Sequence, residues 1–212
     1  SYGGSQYDEA RHFQETFDGG FIISGITKSY GYGEEDIWII KTSASGLIDW
    51  NVNFGEGQND RGAQILQTDE GGYIVIGEKY NIDLENSDLW LLKINSQGEL
   101  SWEKTLGSTG DDRGYDIKNN RSGGYLLLGS TNSFGNGGSD IWLINTDSDG
   151  NEIWSKTYGS SNNEYGRSII DSDDGGYLIF ATSESFGNDN TGLHNIKIDS
   201  TGAEEWNKSF GG

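Results

Sequence analysis

The sequence contains no cysteine, no proline and no methionine among its 212 residues. The lack of cysteine excludes disulfides, thiolate catalysis and cysteine-ligated metal sites. Cations are also scarce: 14 Lys and Arg stand against 34 Asp and Glu, giving a formal net charge of −20 at pH 7. Because binding to phosphate backbones depends on clustered Lys and Arg, neither nucleic acid nor an anionic membrane surface is an expected partner.

Long apolar runs and catalytic motifs are missing as well. No apolar stretch approaches the roughly 18 residues of a membrane span, so no membrane insertion is expected. The sequence has only two histidines and lacks the nucleophile elbow, the phosphate loop and the zinc-protease motif. We therefore assign no catalytic residue and expect a protein that is not an enzyme.

What the sequence does contain is a repeat of 52 residues without insertions. The chain has 34 glycines and seven tryptophans, and the period aligns several of them in sets. These sets are Gly3, Gly55, Gly107, Gly159 and Gly211; the pairs Gly19-Gly20, Gly71-Gly72, Gly123-Gly124 and Gly175-Gly176; and Trp50, Trp102, Trp154 and Trp206. The repeats are approximately 5–56, 57–108, 109–160 and 161–212, with 1–4 as the tail of a preceding repeat.

Each repeat predicts four strands joined by Gly-, Asn- and Asp-rich turns. In the third repeat we place them near 115–119, 125–131, 140–146 and 152–157. The second and third strands, "YLLLG" and "DIWLI", are apolar at consecutive positions, so both of their faces should be covered. Four such antiparallel sheets predict an all-β propeller, a single domain over 1–212. Either it closes as a four-bladed ring, or it is half of a larger ring.

Two resemblances accompany this pattern. "DSTGAEEW" at 199–206, with "DSDGNEIW" and "NSQGELSW", resembles the tryptophan-docking motif of quinoprotein-type propellers, although one residue is missing between Asp and Gly. The wider repeat resembles one found in secreted bacterial and archaeal propeller proteins, which implies an extracellular or cell-surface location. The first resemblance implies that Trp50, Trp102, Trp154 and Trp206 are structural anchors between blades.

Two sets of residues are candidates for binding. Asp8, Asp60, Asp112 and Glu164 are equivalent by the repeat and could hold Ca²⁺ if a ring gathers them; otherwise each accepts a hydrogen bond from its own turn or pairs with a nearby Arg. No other cofactor is expected. The loops after the second strands, 29–35, 80–87, 133–139 and 185–191, carry the candidate ligand-binding aromatics Tyr30, Phe134 and Phe186. His194 joins this set because it stands where the other repeats have Trp.

Three functions remain open at this point. The first is an extracellular scaffold, lectin-like or within a larger surface protein, that binds a protein or a glycan through its variable loops. The second is a structural repeat that self-assembles in a surface layer or filament, with further blades supplied by a parent chain or a second copy. A hydrolase or lyase is the third and least favoured.

Overall fold

The computed structural model describes residues 2–185 and 192–211, and these residues form sixteen β-strands and no helix. No helix long and apolar enough to cross a membrane occurs in this part of the chain. The strands are β1 Asp8–Glu15, β2 Phe21–Thr27, β3 Asp36–Thr42, β4 Ile48–Phe54, β5 Arg61–Gln67, β6 Tyr73–Asn81, β7 Asn86–Ile94, β8 Leu100–Leu106, β9 Asp112–Asn119, β10 Tyr125–Thr131, β11 Asp140–Thr146, β12 Glu152–Tyr158, β13 Glu164–Asp171, β14 Tyr177–Ser183, β15 Gly192–Ile198 and β16 Glu204–Phe210.

The strands form four antiparallel sheets, and each sheet is one repeat with its strands in sequence order. This confirms the predicted all-β repeat fold of four-stranded blades. In the third repeat the second and third strands have the predicted bounds, whereas β9 begins three residues earlier, at Asp112. The predicted loop 80–87 is shorter than expected, because β6 runs to Asn81 and β7 starts at Asn86, with Glu85 turning the chain at a positive φ of 53°.

The chain divides into two compact units, Ser1–Leu106 and Gly107–Gly212, each made of two sheets. In the first unit β5 packs on β1, β2 and β3. In the second unit β13 packs in the same way on β9, β10 and β11. The two units therefore repeat one face-to-face packing of neighbouring sheets, as adjacent propeller blades do. The prediction of a single domain over 1–212 stays a prediction.

The middle strands supply the core. Every residue of β3 and of β10 is buried, which confirms that both faces of these strands are covered. In the second unit, Leu126, Ile141 and Leu143 of the third sheet pack against Ile179 and Ile196 of the fourth. The cluster of the first unit has the same composition, with isoleucines of the first sheet against Tyr73, Val75 and Leu92 of the second. Burial of these aliphatic and aromatic side chains is the main stabilising term.

The two glycines of each first hairpin are required for different reasons, one for its backbone conformation and one for its small size. Gly123 has a φ of +89°, a left-handed conformation that glycine adopts without strain. Gly124 is needed for space, because a Cβ there would lie 2.0 Å from the carbonyl oxygen of Thr146. The pair therefore lets the hairpin turn and lets it lie against the end of the third strand.

The tryptophan at the start of each fourth strand lies at the edge of its sheet. The Trp50 indole N–H donates to the carbonyl of Ser96, 3.1 Å away in the last turn of the neighbouring sheet. Trp154 packs against the core of the second unit, and a Cβ on Gly202 would lie 2.9 Å from its ring. Trp102 is half-buried, whereas Trp206 is 42 % exposed.

We predict that Trp154→Ala lowers the free energy of unfolding by about 3 kcal/mol, because it removes a large ring from the contact between two sheets. Trp206→Ala should cost less than about 1 kcal/mol, since that ring is already exposed to water. Urea denaturation followed by circular dichroism measures both values. Equal losses for the two variants would contradict the anchoring role of Trp154.

Candidate functional site

Four equivalent carboxylates secure the loops at one end of the sheets. Asp8, Asp60, Asp112 and Glu164 each accept a hydrogen bond from the backbone N–H four residues earlier in the chain. The donors are Gly4, Glu56, Ser108 and Ser160, at 2.8, 2.7, 3.1 and 2.7 Å. The connection that enters each sheet is therefore closed on its own first strand.

The same carboxylates also hold the loop after the second strand. Ser29 donates to Asp8, and Ser133 donates to Asp112 at 2.6 Å. Ser185 donates to Glu164 at 2.5 Å. Asp60 instead accepts the backbone N–H of Tyr80 at 2.9 Å. Each carboxylate thus ties two loops together, and this matches the alternative in which it serves its own turn.

The sequence predicts that these carboxylates hold Ca²⁺ if a ring gathers them. Within residues 2–185 and 192–211, no group of three or more His, Asp or Glu side chains is arranged to hold a metal. Asp60, Asp112 and Glu164 are almost completely buried, whereas Asp8 is partly exposed. Binding of Ca²⁺ by this set stays a prediction.

A second carboxylate, at the start of the third strand, is buried beside the first. Asp140 is 1 % exposed, and its Oδ2 accepts the backbone N–H of Asn136 at 2.6 Å. Its Oδ1 is buried without a hydrogen-bond partner in the described part of the chain. A Cβ on Gly159 would lie 1.7 Å from this oxygen and 2.7 Å from Oε2 of Glu164. The carboxylate oxygen therefore occupies the place of the missing Cβ.

The first unit repeats this arrangement. Asp36 Oδ2 accepts the backbone N–H of Tyr32 at 2.9 Å, while Oδ1 is buried without a partner among the residues that the structure describes. A Cβ on Gly55 would lie 1.8 Å from Asp36 Oδ1 and 3.0 Å from Asp60 Oδ2. At Gly55 and Gly159, two of the glycines spaced at 52 residues, the lack of a side chain is thus explained by a carboxylate from elsewhere in the repeat.

Burial changes the acidity of these pairs. Burial, with a smaller contribution from the nearby Glu164 charge, raises the pKa of Asp140 above its ordinary value. Burial likewise raises the pKa of Asp36, and the Asp60 charge adds to this effect. The pKa of Asp60 is also raised by burial, against two backbone N–H donors and Lys79. In each case desolvation of the charged form outweighs the hydrogen bonds that favour it.

Aromatic side chains stand beside these loops. Tyr30 and Phe134 are each 45 % exposed. The ring of Tyr30 lies 5.3 Å from that of Trp38, and the ring of Phe134 lies 5.3 Å from that of Trp142. The predicted aromatic Phe186 lies outside the described residues. Tyr32, at 79 % exposure, is a further aromatic of this surface that the sequence analysis did not select.

His194 is not on this surface. It is 5 % exposed in β15, and its Nδ1 lies 2.8 Å from the hydroxyl of Ser209 on the neighbouring strand. Burial lowers its pKa, so the ring is neutral at pH 7. His194 is equivalent to the buried residues Trp38, Trp90 and Trp142. Like them, it packs within the sheet.

The three third-strand tryptophans differ in one contact. The indole N–H of Trp38 donates to Asn51 Oδ1 at 3.2 Å, and that of Trp90 donates to Glu103 Oε2 at 2.8 Å. The equivalent residue for Trp142 is Ser155, whose hydroxyl instead donates to Glu152 at 2.7 Å. Among the described residues, the Trp142 N–H has no acceptor.

A cleft opens at this point of the third sheet. Its volume is about 420 Å³, and it is lined by Phe134, Trp142, Glu152, Ser155, Lys156 and Thr157. The lining combines two aromatic rings with a carboxylate, an ammonium group and two hydroxyls. The sequence indicates Phe134 but not the cleft. The signal for the cleft is the change from Asn51 and Glu103 to the shorter Ser155.

Comparison with known proteins supports the fold and goes no further. No protein-family model and no curated protein matches the chain. A crystal structure of a protein of unknown function from Bacteroides caccae is similar, with 13 % identity and a TM-score of 0.52 over 99 % of this chain and 84 % of that one. A mannose phosphorylase from Leishmania mexicana, in complex with phosphate ion, has 14 % identity and a TM-score of 0.52 over 86 % of this chain and 64 % of its own. At such identity the likeness concerns the fold alone.

We predict that Asp140→Asn flattens the pH dependence of stability. A pKa that is higher in the folded than in the unfolded protein means that the folded state binds the proton more tightly, so stability rises as pH falls from 7 towards the raised pKa. The variant should gain about 1 kcal/mol at pH 7, because it removes a buried charge with an unpaired oxygen. Urea denaturation between pH 7 and pH 4.5 measures both effects.

The matched control is Asp149→Asn, which removes an exposed carboxylate from the same repeat. It should leave the pH profile of the free energy of unfolding unchanged. A profile for Asp140→Asn that stays parallel to that of the unsubstituted protein would contradict the assignment.

We also predict that Gly159→Ala destabilises the protein by about 2 kcal/mol, because the new Cβ must displace a buried carboxylate. Gly62→Ala should cost less, since its Cβ would meet the Ile37 methyl at 3.1 Å. In the background of Asp140→Ala, the cost of Gly159→Ala should fall, and a double-mutant cycle measures the difference. Additive effects of the two substitutions would show that the carboxylate and the glycine are independent.

Proposed function

We propose that this protein is a non-enzymatic binding module that takes a glycan in the cleft of its third sheet. The observation that supports this is the Trp142 N–H, which lacks an acceptor where both sibling tryptophans have one. A donor that no group of the described protein satisfies, on a side chain that lines an open cleft, can donate to an oxygen of a bound ligand.

The chemistry of the cleft suits a sugar. A hydroxyl oxygen of a pyranose can accept from Trp142, and the Glu152 carboxylate can accept from a neighbouring hydroxyl. The partly exposed ring of Phe134 offers an apolar face for the C–H groups of the sugar. A volume of about 420 Å³ lies within the ordinary range for small-ligand sites and is enough for one or two sugar units.

Only the third sheet offers this arrangement in the part of the chain that the structure describes. Asn51 fills the acceptor position in the first sheet and Glu103 fills it in the second. Lys79 lies 4.7 Å from the Trp90 ring centroid and pairs with Glu103, so that position is further closed by an internal charge contact. Divergence at one position thus distinguishes a binding repeat from two structural ones.

The other parts of the proposal depend on the sequence. An extracellular or cell-surface location rests on the resemblance of the repeat to secreted propeller proteins, and so does the tryptophan-docking interpretation of Trp50 and Trp154. The absence of catalysis is proposed because the buried carboxylates accept hydrogen bonds from their own loops, which leaves them poorly placed for proton transfer to a substrate.

We predict that the purified protein binds a subset of immobilised neutral glycans, and that Trp142→Phe weakens this binding about fivefold or more. The substitution removes one hydrogen bond and keeps the aromatic ring. Ser155→Asn should weaken binding as well, because it supplies the acceptor that Asn51 provides in the first sheet. A glycan array followed by calorimetry on the best glycan measures both changes.

The matched control is Trp38→Phe, which removes an indole N–H that the protein already satisfies. It should leave glycan affinity unchanged, with circular dichroism confirming that all three variants are folded. A blank array, or equal losses for Trp38→Phe and Trp142→Phe, would refute the proposed site.

A further inference from the structure

The outer face of the fourth sheet is apolar and exposed. Leu193, Phe210 and Phe180 are 60 %, 53 % and 40 % exposed. Their equivalents in the third sheet, one repeat earlier, are Ile141, Tyr158 and Leu128, at 0 %, 8 % and 0 %. The same face is therefore covered in one sheet and open in the next. Exposed apolar patches of this kind mark interaction surfaces.

The structure shows what covers this face in the third sheet. Ile169, Tyr177, Ile179 and Ile196 of the fourth sheet pack on it. The residues three repeats earlier, on the first sheet, are Phe13, Phe21, Ile23 and Ile40, and they are apolar too. Phe13 is 70 % exposed. The first sheet thus carries the same kind of covering face, with its most prominent ring in water.

The segment before β1 shows how the two faces would fit. Tyr158 donates its hydroxyl to the carbonyl of Gly202 on the neighbouring fourth sheet, at 2.6 Å. Tyr2, three repeats before Tyr158, donates in the same way to the carbonyl of Gly46 on the first sheet, at 2.5 Å. Gly46 is likewise three repeats before Gly202. The first sheet therefore already receives Tyr2 at the place where the fourth sheet receives Tyr158.

Tyr2 fills only part of this face. A cavity of about 110 Å³ remains beside it, lined in part by Ile23, Trp38 and Ile40. In the repeat, Tyr2 and Phe210 occupy the same position, within "SYGG" and "SFGG". Phe210 of an incoming fourth sheet would replace Tyr2 and bring Leu193 and Phe180 with it, which covers far more apolar surface.

We propose that the exposed face of the fourth sheet binds the first sheet of a second copy of this chain, with Phe210 displacing Tyr2. The contact is head-to-tail, so it joins two different faces. It reproduces between molecules the packing that β13 makes on β9, β10 and β11 within one molecule. Addition of copies ends only when a ring closes.

Charge sets the conditions for this association. Each copy carries a formal net charge of −20 at pH 7, so two copies repel each other at low ionic strength. Salt screens this repulsion, whereas burial of apolar surface does not weaken with salt. Association should therefore tighten as sodium chloride rises from 20 to 300 mM, which is opposite to the behaviour of an interface held by ion pairs.

The test is sedimentation equilibrium of the purified protein at 300 mM sodium chloride, over micromolar to hundred-micromolar concentration. We expect twice the chain mass of 23.2 kDa, or a larger multiple of it, at the upper end. Leu193→Asp should raise the dissociation constant about 30-fold or more, because it places a charge at the centre of the contact. Tyr2→Ala should lower it, because it removes the competitor for the first sheet.

The control is Ile82→Asp, which changes an equally exposed residue, 64 %, in a loop outside both faces. It should associate like the unsubstituted protein, and circular dichroism confirms that every variant is folded. A monomer at all concentrations and salt levels would overturn the proposal. Equal weakening by Ile82→Asp and Leu193→Asp, or weaker association of Tyr2→Ala, would overturn the assignment of the faces.

Discussion

The structure depends on the burial of both faces of the second and third strands, which is nearly complete in the first three repeats and incomplete in the fourth. A four-stranded sheet built from "YLLLG" and "DIWLI" segments has no polar face to turn to water, so it is stable only between neighbours. Within each unit this need is met by the first strand of the following sheet, which packs across the strands of the preceding one. The 52-residue period, the matching strand bounds and the glycine pairs all follow from repeating one packing solution.

Buried carboxylates hold the loops at the ends of the sheets, and their burial is unfavourable in free energy. Asp60, Asp112 and Glu164 each bond two segments of the chain, and Asp36, Asp112 and Asp140 each leave one oxygen unpaired in the interior. A buried unpaired oxygen is unfavourable by about 1 to 3 kcal/mol, and the raised pKa values of Asp36 and Asp140 express the same penalty. The close approach of these oxygens to Gly55 and Gly159 explains why these two positions have no room for a side chain. In the fourth repeat Gly192 replaces the Asp, and a Cβ on Gly211 would meet only Gly192, at 3.3 Å.

Function in such a repeat arises where copies differ. One position, filled by Asn51, Glu103 and Ser155 in successive sheets, decides whether a tryptophan N–H is satisfied within the protein or left beside a cleft. Another set, on the outer face of the fourth sheet, has the apolar character of a blade interface and is exposed. The same periodic scaffold thus supports both proposals: a ligand site at a substituted position, and an association surface at an uncovered one.

The sequence alone determined the period, the four-strand unit, the positions of the second and third strands in the third repeat and the burial of both their faces, because these depend on local pattern and turn chemistry. It also selected Tyr30, Phe134 and the four loop carboxylates by register. It misplaced the start of β9 and the length of the 80–87 loop, since pairing with the neighbouring strand extends a strand beyond its apolar run. The tertiary structure alone decided that Asp140 lies against Gly159, that the Trp142 N–H has no acceptor among the described residues, and that Tyr2 bonds Gly46. These features depend on distances between side chains of different strands and turns. Those distances are set by the packing of the strands and sheets, and the spacing of residues in the sequence does not specify them.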